Sequence, residues 1–459
     1  MRGFRLPARV KRIAVGKLFG IFDHTIPMNM DDRITIIHGL NGFGKTTILR
    51  MMNGLFTSRY SELQDVSFQS FDVDLDNRRS LRVRHHVHEP GEHNHQPLDI
   101  RLYEGKRQSE EAKIREPDVR SLNFPIGMID EAVPFLTRRS ETTWLNLETG
   151  EELSLADVIS RYAEFLPGRT KQQMPKWLRD VTGSVKVRFI ESQRLLKVGR
   201  RPRRSQAWGP GGFEPAVAFY SEQVAREIQR KLAEYAERSQ SLDQTFPMRL
   251  VGHLETGRPP EVSTSELESR LANLDEKRKR LREAGLLEKE EVPFQVPKTL
   301  QLPTQQVLPL YVHDVEEKLQ VFDELLAKIE LLKRILNEKF LFKSISITKE
   351  RGFTFTSQSG EPLLPTHLSS GEQHMLVLLS ELLFTVEPNS LVMIDEPEIS
   401  LHVDWQQSFL RDLAKITELA SFDILIATHS PQIINDRWDL TVALQSPSER
   451  RLEEPVNAR

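Results

Sequence analysis

The sequence predicts an α/β fold: a mainly parallel sheet, an antiparallel β-subdomain on the N-terminal side, and a helical insertion. Three observations predict it. The apolar run Ile36-Ile37 passes through His38 into Gly39-Leu40-Asn41-Gly42-Phe43-Gly44-Lys45-Thr46-Thr47 and then into the helical pattern Ile48-Leu49-Arg50-Met51-Met52, which reads as strand, glycine loop and helix. Two later apolar runs, Leu391-Val392-Met393-Ile394 and Ile424-Leu425-Ile426-Ala427, read as buried strands ending in Asp395-Glu396 and in Thr428-His429-Ser430-Pro431. Between the first strand and the last two lie long charged segments with apolar residues at helical spacing.

Bulk composition bounds the rest. A chain of 459 residues with 38% hydrophobic content has room for two or three domains with real cores. The net charge of −3 excludes a wholly basic nucleic-acid coat, so any contact with DNA needs a local patch. With no cysteine the chain has neither a disulfide framework nor a thiolate metal site, which fits a reducing cytoplasm. No run of about 18 apolar residues and no leader-like start occur, so the expected location is cytoplasmic, with no membrane partner.

The glycine loop carries the first chemistry. Gly39, Gly42 and Gly44 let the backbone curl so that its N–H groups face the β-phosphate of a nucleotide, and the following helix adds its positive end. Lys45 would reach the β- and γ-phosphates and the Thr46 hydroxyl would ligate Mg²⁺, with Asn41 and Thr47 lining the same loop. Upstream, Arg12-Ile13-Ala14-Val15, Phe19-Gly20-Ile21-Phe22 and Arg33-Ile34-Thr35-Ile36-Ile37 are expected strands, with Asp31-Asp32 as a turn. Phe19 and Phe22 fit a core role better than an adenine contact. Downstream, Phe68 to Leu75 and Ser80 to Arg84 alternate in period two across Asp76-Asn77, a hairpin. Histidines 85, 86, 88, 93 and 95 flank the polar turn Glu89-Pro90-Gly91-Glu92 with no pattern that completes a metal geometry.

Val185 to Ile190 is a further strand, followed by Gln193, a candidate to touch Mg²⁺ and the attacking water. Next, Arg194, Lys197, Arg200, Arg201, Arg203 and Arg204 form a basic loop that is either solvated or grips nucleic-acid phosphates or an acidic protein. A long amphipathic helix follows from Val217. Two charged helices come after it, near Ser265 to Ala284 and from Val315 to Leu336, joined by a linker with Pro293, Pro297, Pro303 and Pro309. They fit either an antiparallel hairpin with a second arm of about 33 Å or a helical subdomain packed on the core. Strands return at Ser344 to Ile347 and Phe353 to Thr356. Then Leu368-Ser369-Ser370-Gly371-Glu372-Gln373-His374 opens a helix, and Ser369 with Glu372 forms a capping box. After the buried strand, Asp395 is the expected Mg²⁺-linked carboxylate, Glu396 the group that activates water, and His429 a strand-end side chain able to sense the γ-phosphate.

Taken in order, these segments resemble the ABC-type ATPase head, over roughly residues 10 to 60, 180 to 200 and 340 to 445. The segments Asp395-Glu396-Pro397-Glu398-Ile399-Ser400-Leu401-His402 and Ala427-Thr428-His429-Ser430-Pro431 are similar to the soluble branch related to SMC, RecF and OLD proteins. The stretch Ile433 to Leu440 is similar to stand-alone ATPases of bacterial anti-phage defence, such as AriA of the PARIS system and PtuA of Septu. Ser370 stands where transporters have glycine, and His402 where they have the D-loop aspartate, so the D-loop role is not carried over. The residues after His429 are too few for the Toprim domain that OLD nucleases carry.

The resemblance implies ATP and Mg²⁺ as cofactors and an ATP sandwich between two heads. Glu396, His429 and Gln193 would act in hydrolysis, and Thr46, Gln193 and Asp395 would hold the metal. Ser369, Gly371, Glu372 and Gln373 would meet the nucleotide of a second copy. It divides the chain into an N-terminal head part (residues 1–200), a helical or coiled-coil insertion (201–340) and a C-terminal head part (341–459). The implied function is a nucleotide-gated switch acting through self-association on a separately encoded effector, such as a Toprim/OLD-like or HNH nuclease, with DNA or an acidic phage protein as further candidate partners. The rival readings are a DNA repair or clamp ATPase, and a transporter ATPase, which the long insertion disfavours.

Overall fold

The computed structural model describes residues 7–85, 97–114, 126–133, 136–140, 142–146, 152–162, 174–191, 195–198, 213–255, 263–287 and 302–445. The chain divides into two compact units, Met1–Pro215 with Thr385–Arg459, and Ala216–Phe384.

The first unit is built on a five-stranded sheet in the order β11-β17-β18-β3-β19. These are β3 (Ile34–His38), β11 (Val187–Ile190), β17 (Leu391–Asp395), β18 (Asp423–Thr428) and β19 (Thr441–Ala443). Every neighbouring pair is parallel. All residues of β17 and β18 are buried, which is why they read as continuous apolar runs rather than as alternating strands. A parallel sheet places all its C-terminal strand ends along one edge. The glycine loop after β3, Asp395-Glu396 after β17 and His429 after β18 therefore meet there, although Thr46 lies 349 residues from Asp395 and Lys45 384 from His429. Helix α1 (Lys45–Thr57) lies against β11, β17 and β18.

Beside it a six-stranded antiparallel sheet has the order β2-β1-β4-β5-β6-β7, from β1 (Val10–Leu18), β2 (Phe22–Pro27), β4 (Ser70–Leu75), β5 (Arg79–His85), β6 (Leu98–Glu104) and β7 (Arg107–Ile114). The hairpin expected across Asp76-Asn77 is β4–β5. The strand expected at Phe19 to Phe22 is instead a reversal. Leu18 pairs with Phe22, and Phe19 and Gly20 take φ of 53° and 77°, the backbone that a tight antiparallel turn requires. A smaller sheet, β8 (Leu136–Arg138), β9 (Thr143–Asn146) and β10 (Glu152–Ser154), packs with α3 (Met128–Ala132) and α4 (Leu155–Tyr162) around Trp144. The unit also contains α2 (Ser61–Gln64), α5 (Lys176–Thr182), the pair β12 (Leu196–Val198) and β13 (Phe213–Pro215), α11 (Val403–Ala420) and α12 (Pro431–Ile434).

The second unit holds α6 (Ala216–Glu255), α7 (Thr264–Glu283), α8 (Leu302–Gln320), α9 (Asp323–Lys339), the antiparallel strands β14 (Lys343–Thr348), β15 (Gly352–Ser357) and β16 (Pro362–Leu363), and α10 (Ser370–Phe384). It thus takes in the strands and the helix opened by Leu368 to His374, the signature segment below, which the sequence reading grouped with residues 341–459. Gly352, with φ 67°, lets β15 meet α6: a Cβ there would lie 1.9 Å from Ser221 O.

Helices α6 and α8 form an antiparallel arm, held by Arg238 to Glu317, Lys318 to Asp243, and Arg249 to Asp314. The sequence reading paired α7 with the helix after the linker in that sense, but those two run parallel. Arg270 bonds Glu316, Lys277 pairs with Asp323, and Arg280 bonds Glu330, so both numbers rise together. The parallel sense is open because the residues between Glu283 and Leu302, at about 3.3 Å each when extended, can span the ~30 Å length of α7. The single helix expected from Val315 to Leu336 is broken between Gln320 and Asp323. The break turns Phe322 fully inward, 5.3 Å from the Tyr235 ring, and Asp323 and Glu324 then favour a new helix start.

Candidate functional site: a phosphate loop, two carboxylates and a histidine on one sheet edge

The glycine loop starts where β3 ends and closes on α1. Gly44 is the N-cap of α1 with φ 85°, and a Cβ there would stand 2.4 Å from Leu18 Cδ2, so both backbone and space require glycine. The loop is pinned from β2: the buried His24 Nε2 bonds Phe43 O at 3.0 Å, and Phe22 packs on the rings of His24 and Phe43. Lys45 is folded back, its Nζ donating to Gly39 O (2.9 Å) and Leu40 O (3.1 Å) and lying 3.3 Å from His429 Nδ1. Burial lowers the Lys45 ammonium from its ordinary range, against the opposing pull of Glu396, Asp395 and Glu398. Gly42 has φ 87°, Asn41 is exposed, and Thr47 is half-buried in the first turn of α1.

Thr46 Oγ1 donates to Asp395 Oδ1 at 3.0 Å, which joins the first turn of α1 to the end of β17. Burial pushes the Asp395 carboxyl up to about 6, with the nearby Glu396 and Glu191 adding to the rise and the Thr46 bond and Arg50 opposing it. A hydroxyl and a carboxylate converging in this way are a hard-oxygen pair of the kind Mg²⁺ takes, with water completing its shell. Among the described residues no group of three or more His, Asp or Glu side chains is placed to hold a metal. Glu396 leaves the strand in the left-handed region, φ 45° and ψ 58°, and its N–H donates to Ala427 O. That turns its carboxylate toward His429, with Oε1 at 3.6 Å from Nε2. Because the lysine ammonium can only donate, a neutral His429 would accept from it at Nδ1 and present Nε2–H to Glu396.

The signature segment lies in the second unit and has its own geometry. Ser369 N donates to Glu372 Oε2 (2.8 Å), and Glu372 N to Ser369 Oγ (3.4 Å), the reciprocal capping box that the sequence predicts. Lys343 Nζ also donates to both Glu372 oxygens at 2.7 Å. Burial works to raise the Glu372 carboxyl, but the bonds from Lys343 and Ser369 outweigh it and leave the group below its usual range. Gln373 Nε2 donates to Leu368 O (2.8 Å) and Thr366 O (3.2 Å). Glu372 and Gln373 thus hold the segment itself, leaving Ser369 exposed and Gly371 half-buried at the helix start.

Lys45, Thr46, Asp395, Glu396 and His429 are brought together; Ser369, Gly371, Glu372 and Gln373 form a separate cluster. Gln193 lies outside the described residues, as do Arg194, the basic loop from Arg200 to Arg204, and histidines 86, 88, 93 and 95. His85 is described and bonds Val66 O. His402 caps α11, its Nδ1 accepting from Asp404 N. Sequence reading missed Glu398, Gln406 and His24. Only Glu398, inside the quoted Asp395 to His402 segment, left a signal, as an extra carboxylate beside the strand end.

The first unit thus joins a strand, glycine loop and helix to a carboxylate pair and a histidine on one parallel sheet, and the second carries the capped helix that opens at Ser369. Residues 222–435, just under half of the chain, match the family model described as AAA domain, putative AbiEii toxin, Type IV TA system. That match takes in the signature, carboxylate and histidine segments and leaves out the glycine loop. Protein ea59 of Escherichia phage lambda is 36% identical over 69 residues, which make up 15% of this chain and 13% of that protein. The Smc head domain with an extended coiled coil bound to the C-terminal domain of ScpA, from Pyrococcus furiosus, is 11% identical, covering 96% of this chain and 94% of that one with a TM-score of 0.35. The SMC head domain from Thermotoga maritima is also 11% identical, covering 93% and 92% with a TM-score of 0.29.

Proposed function

We propose that this chain binds ATP with Mg²⁺, hydrolyses it to ADP and phosphate between two paired heads, and works in the cytoplasm as a nucleotide-gated switch. Its output would be a separately encoded effector, a nuclease, in anti-phage defence. The observation that carries the reading is the convergence on one sheet edge of Lys45, of the Thr46 and Asp395 oxygens 3.0 Å apart, and of Glu396 facing His429 at 3.6 Å. The loop N–H groups and Lys45 would hold the phosphates, and Thr46 and Asp395 would hold Mg²⁺. When bound, Mg²⁺ neutralises charge on the β- and γ-phosphate oxygens. Glu396 would accept the proton of the attacking water, oriented by the Nε2–H of His429.

Pairing is supported by the second cluster. The Ser369 hydroxyl is exposed at the N-terminal end of α10 and can donate to an anion, and the γ-phosphate held by another copy would supply one. The matched family's description, which names a putative toxin of a type IV TA system, is compatible with ATP state controlling an effector. Among the described residues no helix is long and apolar enough to cross a membrane.

The test is ATP turnover against protein concentration, with sizing in ATP. Turnover per chain should rise with concentration as pairs form. Turnover independent of concentration, with a single-copy species in ATP, would refute the paired-head mechanism. Binding of duplex DNA that falls steeply with salt and depends on Arg200 to Arg204 would favour a clamp instead.

A further inference from the structure

After β17 the chain enters a 3-10 turn, Pro397–Ser400, and the Glu398 side chain crosses to the end of β18. Its Oε1 accepts from Thr428 Oγ1 at 2.8 Å and from the backbone N–H of His429 at 2.8 Å. The other oxygen, Oε2, is buried and makes no hydrogen bond among the described residues. All of the bonding found for this carboxylate is therefore spent on the two residues that present the imidazole. A second tie runs beside it: Gln406, on the first turn of α11, donates to Leu401 O (3.1 Å) and Glu398 O (3.4 Å) and accepts from Ser430 Oγ (2.9 Å). Ser430 N donates in turn to Thr428 Oγ1 at 3.0 Å. Residues 428, 429 and 430 are each bound to the loop after β17, directly or through one side chain.

We propose that Glu398 is a positioning residue that fixes His429 against Glu396, so that leaving the carboxylate strand and presenting the histidine become one mechanical event. The inference rests on the ATPase reading for its catalytic consequence, but the coupling itself is a property of the nucleotide-free chain. The backbone of His429 is held by a charge-assisted bond, whereas the polar partners of its ring are Lys45 at 3.3 Å and Glu396 at 3.6 Å. When Lys45 turns to a phosphate, the ring loses one of those neighbours, and the Glu398 bond is what keeps it in line with Glu396. Any movement of the Pro397–Ser400 turn, such as docking of a second head would impose, would pass to His429 through the same atom.

The experiment uses the full chain with Glu398→Ala, Glu398→Gln and Thr428→Val. It measures kcat, KM and ATP affinity, together with the imidazole NMR signals of His429 in nucleotide-free protein, assigned by their loss in His429→Gln. Glu398→Ala should lower kcat about tenfold or more with ATP affinity and KM within about twofold of wild type, and should shift or broaden the His429 signals. Glu398→Gln, whose amide oxygen can accept the same two bonds, should recover most of the rate and leave the signals in place. Thr428→Val, which removes one bond, should fall between. Glutamine behaving like alanine would mean that charge, acting on Lys45, is what matters, and unmoved His429 signals in Glu398→Ala would likewise overturn the proposal. Should the alanine variant fail to fold, Thr428→Val takes its place, and an unshifted signal there overturns the proposal as well. If wild type hydrolyses no ATP, the ATPase reading fails, while the NMR comparison still decides the coupling.

Discussion

Replacing Asp395 with asparagine should stabilise the nucleotide-free protein while removing its function. Burial holds this carboxyl at about 6 against an ordinary 3.8, a rise of about two pH units. At about 1.36 kcal/mol per unit, ionising Asp395 costs the folded state about 3 kcal/mol relative to the unfolded chain. The sign follows from a raised carboxylate: the folded state binds the proton more tightly, so stability from this group falls as pH rises from about 4 through about 6 and stays low above. The asparagine side chain cannot ionise, and its amide oxygen can still accept from Thr46 Oγ1 as the Asp395 carboxylate does. The Asp395→Asn variant should therefore exceed wild type by up to about 3 kcal/mol at pH 8, with the gap closing near pH 4. Urea unfolding of both proteins without nucleotide or Mg²⁺, at pH 4, 6 and 8, measures this directly. Added Mg²⁺ should stabilise wild type at pH 8 and leave Asp395→Asn unchanged. A gap that is absent at pH 8, or that does not vary with pH, would refute the reasoning.

Lys45→Ala removes the loop lysine proposed to hold the phosphates and should weaken ATP binding at least about a hundredfold by calorimetry, the scale of losing a charge-assisted contact to phosphate. Glu396→Gln should bind ATP normally but stall, since an amide cannot accept the water's proton, and should accumulate paired heads in ATP by light scattering. Ser369→Ala should cost about 1 kcal/mol in thermal unfolding through loss of the cap. Ser369→Asp keeps a good cap and should melt near wild type, yet in the proposed paired heads it would place a carboxylate against the γ-phosphate and should abolish turnover. Robust turnover in a folded Ser369→Asp protein would reduce the segment to a helix start.

What could be read from the sequence follows the range of the interaction involved. The glycine loop, the capping box at Ser369 and Glu372, and the buried strands ending in Asp395 and Thr428 are local: periodicity, turn chemistry and spacing within a few residues determine them. The alternation of β6, with Leu98, Ile100 and Leu102 inward, is equally local. Where the structure departs from that reading, a pairing outside the segment itself decided. Phe19 and Gly20 turn because β1 must pair with β2, and the helix breaks at Phe322 because that ring is buried against Tyr235.

The parallel sense of α7 and α8 is set by pairs such as Arg270 with Glu316, and a heptad pattern carries no direction. Sequence alone thus marked Lys45, Thr46, Asp395, Glu396 and His429 as the candidate side chains. Only the tertiary structure decided that Lys45 rests on His429, that Thr46 bonds Asp395, and that Glu398 holds the residue facing Glu396. The physical reason is that a parallel sheet gathers its strand ends by backbone hydrogen bonding between β3, β17 and β18, and that register cannot be seen in any one strand.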